Sequence, residues 1–229
     1  MPGERPVVVA GAWERHGVCG YDLMGKRLWQ DRSRTNVQAV TAVADGRVVV
    51  THLRRATRVL DAASGEEVRS LRGALQVFAV RADMTLVVGS DWCRLLNGSL
   101  DPLGSRVGTS GGGLVSAATD GEHLAVAEVG GPLRIVDPDG RERARVADHF
   151  RHVLHDPVTK TWVAVHETIE GKNSLLRFSH DGEVLERRPW DRVGGTATMR
   201  GGRTLVLITT EGVQVVNCAD WGVRGLEAT

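Results

Sequence analysis

The strongest constraint on the fold is a repeat of about 40 residues that runs through the chain. Six turn dipeptides end in glycine, and neighbouring glycines are separated by 36 to 42 residues. These dipeptides are Met24-Gly25, Ser64-Gly65, Leu103-Gly104, Asp139-Gly140, Asp181-Gly182 and Trp221-Gly222. Six turns at one spacing predict six copies of one structural unit.

A second column of short apolar runs keeps the same register. The runs read VVVAG, VVVTH, LVVGS, LAVAE, WVAVH and LVLIT, and they begin at Val7, Val48, Leu86, Leu124, Trp162 and Leu205. Aliphatic stretches of this length between turn residues are typical of strands that are buried on both faces. Hairpin turns precede four of the runs, at Asp45-Gly46, Asp83-Met84, Asp120-Gly121 and Gly201-Gly202. We therefore expect two β-hairpins in each repeat.

The second repeat shows the full unit, with predicted strands A to D at residues 36–46, 48–53, 57–62 and 66–71. A lone four-stranded sheet cannot bury both of its faces, so such units must pack against one another. Helical repeats of similar length are the alternative. They are disfavoured because the recurring Asp-Gly and Gly-Gly pairs would break the helices.

The strand, turn and strand segments resemble those of β-propeller repeat proteins. Residues 59–71, VLDAASGEEVRSL, resemble the hairpin of WD40-like and quinoprotein-like repeats, and residues 20–29, GYDLMGKRLW, resemble the quinoprotein-like form. Weaker copies are found at residues 135–146 and 177–190. No Trp-Asp dipeptide closes strand C and no Gly-His pair opens a repeat. Six units are also fewer than the eight blades of quinone-dependent dehydrogenases, so no bound quinone or other cofactor is implied.

The resemblance and the spacing together imply an all-β fold, a six-bladed β-propeller of four-stranded antiparallel blades in a single domain, residues 1–229. The expected blades are residues 1–31, 32–72, 73–107, 108–147, 148–189 and 190–229. The first blade is expected to be incomplete, because its strand A would lie before Met1. Three explanations stay open: the segment after Trp221 supplies that strand, a partner chain supplies it, or the first blade has three strands.

The B to C loops and the D to A connections of a propeller lie on one face, and we call this expected surface the loop face. Trp and Arg are the residue types most enriched at binding hot spots. We expect a protein or peptide partner to bind residues of the loop face, namely Trp13, His52, Arg54, Arg55, Asp91, Trp92, Arg151, His166, Glu167, Trp190 and Arg192. The structural alternative is that the Trp residues cover the edges of the core at blade junctions.

Three patterns suggest chemistry and are better explained by structure. His149, His152 and His155 are spaced by three residues, which places neighbours on opposite faces of a strand, so no metal site is expected there. The glycine-rich stretch 108–114 lacks the lysine and the helix of a phosphate loop, and is expected to be a D to A connection. Cys19, Cys93 and Cys218 are expected to be buried small residues.

One further column aligns Ser, His and Glu side chains, at His52, Ser90, Glu128 and His166. Equivalent positions of neighbouring blades are about 8 to 12 Å apart, since packed sheets are separated by about 10 Å. Direct proton transfer needs about 3 Å. We therefore expect a polar ring and no catalytic residues.

Charge and hydropathy narrow the class of partner. Lys and Arg total 29 against 28 Asp and Glu, a net charge of +1, so neither nucleic acid nor an anionic membrane is expected as a partner. The longest apolar run, residues 6–13, is shorter than the roughly 20 residues of a membrane span. A sparse, odd set of three cysteines fits a reducing compartment, and we expect a cytoplasmic monomer.

The predicted function is a non-catalytic scaffold that binds a protein or peptide through the loop face. The alternative is a small-ligand binder or enzyme that uses a central channel, for a sugar or another polar metabolite. A sensor or immunity component with a partner encoded nearby is a further possibility.

Overall fold

The computed structural model describes residues 6–13, 16–53, 56–167, 173–190, 193–199, 204–209 and 212–226. These residues form 23 β-strands in six antiparallel sheets, and none of them is α-helical. Among the same residues, no helix has the length and apolar character needed to cross a membrane. The chain divides into two compact units, residues 1–103 and 104–229. The single domain stays a prediction.

The first unit contains sheets one to three, and each strand pairs with the next along the chain. Sheet one consists of β1 (Val7–Gly11), β2 (Val18–Asp22) and β3 (Arg27–Asp31). Sheet two consists of β4 (Val37–Val43), β5 (Arg47–His52), β6 (Thr57–Asp61) and β7 (Glu67–Leu71). Sheet three consists of β8 (Gln76–Arg81), β9 (Met84–Val88), β10 (Trp92–Asn97) and β11 (Pro102–Gly108), whose last residues belong to the second unit.

The second unit contains sheets four to six, with the same order of pairing. Sheet four consists of β12 (Leu114–Thr119), β13 (Leu124–Glu128), β14 (Leu133–Val136) and β15 (Glu142–Val146). Sheet five consists of β16 (His149–Asp156), β17 (Thr161–Glu167), β18 (Asn173–Phe178) and β19 (Val184–Trp190). Sheet six consists of β20 (Val193–Met199), β21 (Thr204–Thr209), β22 (Gly212–Asn217) and β23 (Val223–Leu226).

The predicted repeat is confirmed strand by strand. The six apolar runs form β1, β5, β9, β13, β17 and β21. Sheet one has three strands within the described residues, as expected for an incomplete first unit. The segment after Trp221 forms β23, which pairs with β22 from Val213 opposite Leu226 to Val216 opposite Val223. That segment is therefore the fourth strand of its own sheet.

The turn between the last two strands lies at the predicted dipeptide in five sheets, whereas in sheet three it lies at residues 98–101, before the predicted Leu103-Gly104. The left-handed residue is the predicted glycine in four turns, at Gly25, Gly65, Gly140 and Gly182. In sheets three and six it is Leu100, with φ of 65°, and Trp221, with φ of 58°. Gly104 lies within β11 instead. A left-handed non-glycine residue costs about 1 to 2 kcal/mol, and here the burial of both side chains offsets that strain.

The most completely buried strands are second or third strands of their sheets, and every residue of β18 is buried. Every residue of β13 is buried, and β5 and β17 each have only one partly exposed residue. In the second unit the largest apolar cluster joins sheets four and five around Trp162, Phe178 and Ile135. A second cluster joins sheets five and six around Leu175, Leu207 and Trp221. These clusters pack neighbouring sheets of the second unit against each other, and the turns and connections extend from this packed core.

Candidate functional site

In the first unit, the residues predicted for the loop face differ in exposure. Trp13 follows β1 and is 54% exposed. His52 ends β5 and is buried, and its Nδ1 lies 3.1 Å from the carbonyl oxygen of Thr35. Since a carbonyl oxygen only accepts, His52 donates this hydrogen bond to the connection before β4. Arg54 and Arg55 lie outside the described residues.

Trp92 and Asp91 stand at the start of β10. Trp92 is half-buried and packs against the apolar cluster that contains Val87. Its indole covers Gly89 so closely that an added Cβ there would lie 2.3 Å from the ring. The position of Trp92 thus matches the structural alternative, a Trp that covers a core edge. Asp91 is exposed and accepts a hydrogen bond of 2.9 Å from the Ser90 hydroxyl.

In the second unit, the described residues predicted for the loop face make defined polar contacts. Arg151 donates two hydrogen bonds to the carboxylate of Glu167, at 2.5 and 2.7 Å. Trp190 donates from Nε1 to Gln214 Oε1 at 3.1 Å and packs against the cluster that joins sheets five and six. Arg192 lies outside the described residues.

The column of Ser, His and Glu residues is held by contacts within each sheet or its neighbouring connection. Buried His166 has its Nδ1 3.1 Å from the hydroxyl of Ser174. Glu128 is also buried, and its Oε1 lies 2.8 Å from Arg134 Nη2, which balances its charge. The other carboxylate oxygen of Glu128 accepts from the Ser110 amide at 3.1 Å. The glycine-rich stretch is therefore a connection between β11 and β12 that is anchored on a carboxylate.

An open polar recess in the first unit includes part of the predicted surface. Its volume is about 430 Å³, and it is lined by Ser33, Arg34, His52, Ala56, Arg58 and Glu67. Glu67 lies between two guanidinium groups, 2.6 Å from Arg58 and 3.2 Å from Arg34. Arg34 also contacts Asp31 at 2.6 Å. The recess thus presents charged groups of both signs in fixed positions.

The sequence reasoning missed Arg58 and Glu67 in this recess. Both lie on strands, β6 and β7, whereas the candidates were sought in loops and connections. The pairing of these two strands could have indicated the contact. Arg58 pairs with Ser70 and Leu60 pairs with Glu67 in the same hairpin. A long arginine side chain can reach along such a hairpin to the carboxylate.

A second polar group lies in the second unit, at the turn end of sheets four and five. We call it the histidine cluster, and it consists of Asp120, His123, His155 and His180. Asp120 and His123 belong to the turn between β12 and β13, His155 lies near the end of β16, and His180 lies in the turn between β18 and β19. One potential ligand atom from each of Asp120, His155 and His180 lies within 4.8 Å of the others.

Asp120 organises the histidine cluster. Its Oδ1 accepts from the backbone amides of Glu122 and His123, at 2.7 and 2.6 Å. Its Oδ2 lies 3.0 Å from His123 Nδ1 and 3.2 Å from His180 Nδ1. Burial alone would raise the pKa of Asp120, but the hydrogen bonds from the His123 amide and ring outweigh it and lower that pKa. Asp120 is thus a fixed carboxylate that faces two imidazoles.

Of the three histidines at residues 149, 152 and 155, only His155 joins this cluster. His149 is exposed at the start of β16, and His152 contacts the Ser116 hydroxyl at 3.2 Å. A β-bulge between Phe150 and His152 interrupts the regular alternation of β16, so the spacing of three residues does not explain why the three side chains differ. The sequence reasoning also missed the cluster, because the other members come from turns in two different sheets.

Comparison with known proteins gives the fold. No protein-family profile matches the chain, and no curated protein matches its sequence. Among solved structures, the C-terminal WD40 domain of Sif2 is 15% identical with a TM-score of 0.67, over 93% of this chain and 64% of that one. The computationally designed Ika8 protein is 14% identical with a TM-score of 0.68, over 97% and 71%. Hsv2 of Kluyveromyces lactis is 9% identical with a TM-score of 0.60, over 98% and 80%.

These structures are propellers, and the six antiparallel sheets correspond to their blades. The chain is a β-propeller. Its described residues form six blades, the first with three strands and the others with four. Sequence identity of this size shows the propeller fold alone. The resemblance of individual hairpins to the quinoprotein-like form stays a prediction.

Proposed function

We propose that this propeller is a non-catalytic scaffold that binds a protein or peptide through its B to C loops and D to A connections. The propeller fold is used for protein interaction in general, which gives the proposal its starting point. The main observation in its favour is the recess around Glu67 in the first unit, which lies beside connections near the exposed indole of Trp13.

Backbone contacts bring these parts to one end of the first unit. The carbonyl of Ala12 accepts a hydrogen bond from the Val37 amide at 3.4 Å, so Trp13 begins its loop beside the start of β4. The Leu53 amide donates to the carbonyl of Asn36 at 3.0 Å, which holds the residue after β5 against the same connection. The exposed indole of blade one and the fixed charges of blade two are suited to binding a peptide.

The chemistry of the recess defines the partner segment. Arg34 and Arg58 share the carboxylate of Glu67, so a partner carboxylate can replace part of that contact with a bidentate hydrogen bond. A partner aromatic or aliphatic side chain would cover Trp13, which offers a large contact area. A peptide with an acidic residue next to an apolar one fits both features.

Affinity purification with single variants tests the proposal. We expect Trp13→Ala and Arg58→Ala to lower the recovery of the same partner by about 10-fold or more, as expected for hot-spot residues. The matched controls are Met24→Ala, an apolar side chain that is 92% exposed in a turn, and Arg143→Ala, an exposed arginine on β15. Both controls should recover the partner as the wild type does.

Quantitative mass spectrometry of the captured proteins gives the readout. A protein enriched by the wild type and both controls, and lost with both test variants, would support binding at this surface. If no protein shows that pattern while all variants remain folded by circular dichroism, the proposed surface is wrong.

A further inference from the structure

We propose that Asp120, His155 and His180 form a binding site for a divalent transition-metal ion of the zinc class. The inference is independent of the proposed scaffold function, because the histidine cluster lies in the second unit, at the turn ends of its blades. Three observations support it: which ring nitrogen of His180 carries the proton, the nitrogen of His155 that has no hydrogen-bond partner, and the spacing of the three ligand atoms.

The hydrogen bond of His180 fixes which of its nitrogens carries the proton. Its Nε2 lies 3.0 Å from the carbonyl oxygen of Lys160, and that oxygen can only accept. Nε2 therefore carries the proton, and in a neutral ring Nδ1 presents a lone pair. Metal-binding histidines typically donate their second ring nitrogen to a carbonyl or carboxylate in this way.

The lone pair of His180 faces a negative oxygen. Nδ1 lies 3.2 Å from Asp120 Oδ2, but makes no hydrogen bond of acceptable geometry and is buried. That carboxylate oxygen already lies 3.0 Å from His123 Nδ1 as a hydrogen-bond partner. A lone pair against a carboxylate oxygen is repulsive unless a cation lies between them. A metal ion or a second proton on His180 would satisfy the arrangement.

His155 provides the third ligand and distinguishes a metal from a proton. Its Nε2 is buried and makes no hydrogen bond. The ring packs at 5.1 Å from the indole of Trp162 and 5.9 Å from the ring of His180. A buried imidazole nitrogen without a hydrogen bond is costly, whereas coordination to a metal would satisfy it. A second proton on His180 Nδ1 would not give His155 Nε2 a hydrogen-bond partner.

The distances suit a small ion. Zinc is bound at about 2.0 to 2.2 Å by imidazole nitrogen and carboxylate oxygen, so two ligands of a tetrahedral ion are about 3.3 to 3.6 Å apart. The separation of 3.2 Å between Asp120 Oδ2 and His180 Nδ1 is close to the lower end of this range. All three ligand atoms lie within 4.8 Å of one another, so closure needs side-chain shifts on the order of 1 Å.

The remaining neighbours complete the site. His123 holds the carboxylate of Asp120 and lies 3.6 Å from Asp137 through its other nitrogen, which makes it a positioning residue. His180 is 32% exposed at its side chain, so solvent reaches this edge of the cluster. Three protein ligands with an open fourth position give an ion that can exchange and can bind a further group. Nitrogen and oxygen ligands favour zinc, nickel, copper or iron over calcium and magnesium.

The test uses the full chain, free of any affinity tag, and measures zinc binding by calorimetry and by equilibrium dialysis. We expect one zinc ion per chain. Single replacements Asp120→Asn, His155→Gln and His180→Gln should each weaken zinc binding by about 100-fold, since each removes a direct ligand. The matched control is His149→Gln, which removes an exposed histidine from the same strand as His155 and should leave the affinity unchanged.

The outcomes separate the proposal from its alternatives. Loss of zinc binding in the three ligand variants and its retention in His149→Gln would support the site. Equal binding by all variants, or no stoichiometric binding by the wild type, would overturn it.

If a ligand variant does not fold by circular dichroism, cobalt replaces zinc as the probe of the wild-type chain. Visible ligand-field bands of tetrahedral cobalt that disappear on addition of zinc would support the site. Their absence would overturn it.

Discussion

The guanidinium of Arg177 lies against the carboxylate of Asp156, with 3.4 Å between Nη1 and Oδ2, and neither side chain is more than 8% exposed. The same Nη1 donates to the hydroxyl of Thr161 at 3.1 Å, and Nη2 donates to the carbonyl of Cys218. The guanidinium carbon also stands 4.8 Å from the centre of the Trp221 ring. One arginine on β18 therefore makes an ion pair and a hydrogen bond within blade five, and joins blade six through the Cys218 carbonyl and the Trp221 ring.

Replacement of Arg177 by Met should lower the free energy of unfolding by about 3 to 5 kcal/mol. The reason is that Asp156, which is fully buried, would keep its charge without its cationic partner, although the Val158 amide and the Thr159 hydroxyl would still donate hydrogen bonds to it. Urea denaturation at pH 7 measures the loss. Arg187→Met is the control, because Arg187 is an exposed residue of the neighbouring strand β19 and its loss should cost less than about 0.5 kcal/mol. Equal losses in the two variants would contradict a central role for the buried pair.

Gly65→Ala should destabilise the protein more than Gly25→Ala. Both glycines have φ near +80°, so both substitutions place alanine in the left-handed region, at a cost of about 1 kcal/mol. A Cβ at Gly65 would also lie 2.5 Å from the Trp29 ring, whereas a Cβ at Gly25 meets nothing within 4 Å. That indole is held in place, since Trp29 Nε1 donates to the Ala62 carbonyl at 2.9 Å. We expect an additional loss of about 1 to 3 kcal/mol for Gly65→Ala.

Thermal and urea denaturation of both glycine variants gives this comparison directly. If the two variants lost the same stability, the packing of Trp29 over the turn of the next blade would be too loose to matter. Trp29→Phe tests the hydrogen bond to Ala62 separately, because phenylalanine cannot donate it. We expect this variant to lose about 1 kcal/mol of the free energy of unfolding.

The spacing of apolar runs predicted the sheets because five of the six runs are second strands of their sheets. In β5, β9, β13 and β17 nearly every residue is buried, and burial on both faces leaves little freedom in composition. Turn positions were less predictable. The turn of sheet three lies before the predicted Leu103-Gly104, and its left-handed residue is Leu100. In sheet six the left-handed residue is Trp221, and in both turns the side chain fills the core, so burial outweighs backbone strain. A local pattern cannot show this balance, because the compensating contacts come from other strands.

The candidate sites show the same limit. His52 and Trp92 were selected from their place in loops, and the structure directs both side chains towards their own blades. Asp120, His155 and His180 lie 25 to 60 residues apart in the chain, and only the packing of blades four and five brings them together. Without knowledge of how neighbouring blades are aligned, no spacing rule connects these residues.

Cys218 should react slowly with thiol reagents in the folded protein. Burial, together with the nearby charge of Asp156, raises the pKa of its thiol to about 11, so the reactive thiolate is scarce at pH 8. Cys19 and Cys93 are buried as well. We expect that Ellman's reagent labels the native chain far more slowly than the chain in urea. Rapid labelling of native protein that Cys218→Ala abolishes would contradict the buried position.

Acid should destabilise the propeller through His152 at pH values where most carboxylates are still charged. Burial lowers the pKa of His152 to about 4, against about 6.5 in the unfolded chain. The unfolded state therefore binds more protons than the folded state between these values. The free energy of unfolding is at its full value above pH 6.5 and falls as the pH decreases towards 4, by about 3 kcal/mol at most.

Urea denaturation of the wild type at pH 7 and pH 4.5 measures this loss, and His152→Gln should remove most of it by removing the titrating group. Part of the pH dependence should remain, because burial also lowers the pKa of His155. His149→Gln is the control, since His149 is exposed on the same strand and its removal should leave the dependence unchanged. The hydrogen bond partner Ser116 lies on β12, so His152→Gln also tests whether a neutral side chain suffices at this contact between blades four and five. Equal loss of stability in all three proteins would show that His152 takes up its proton without unfolding the chain.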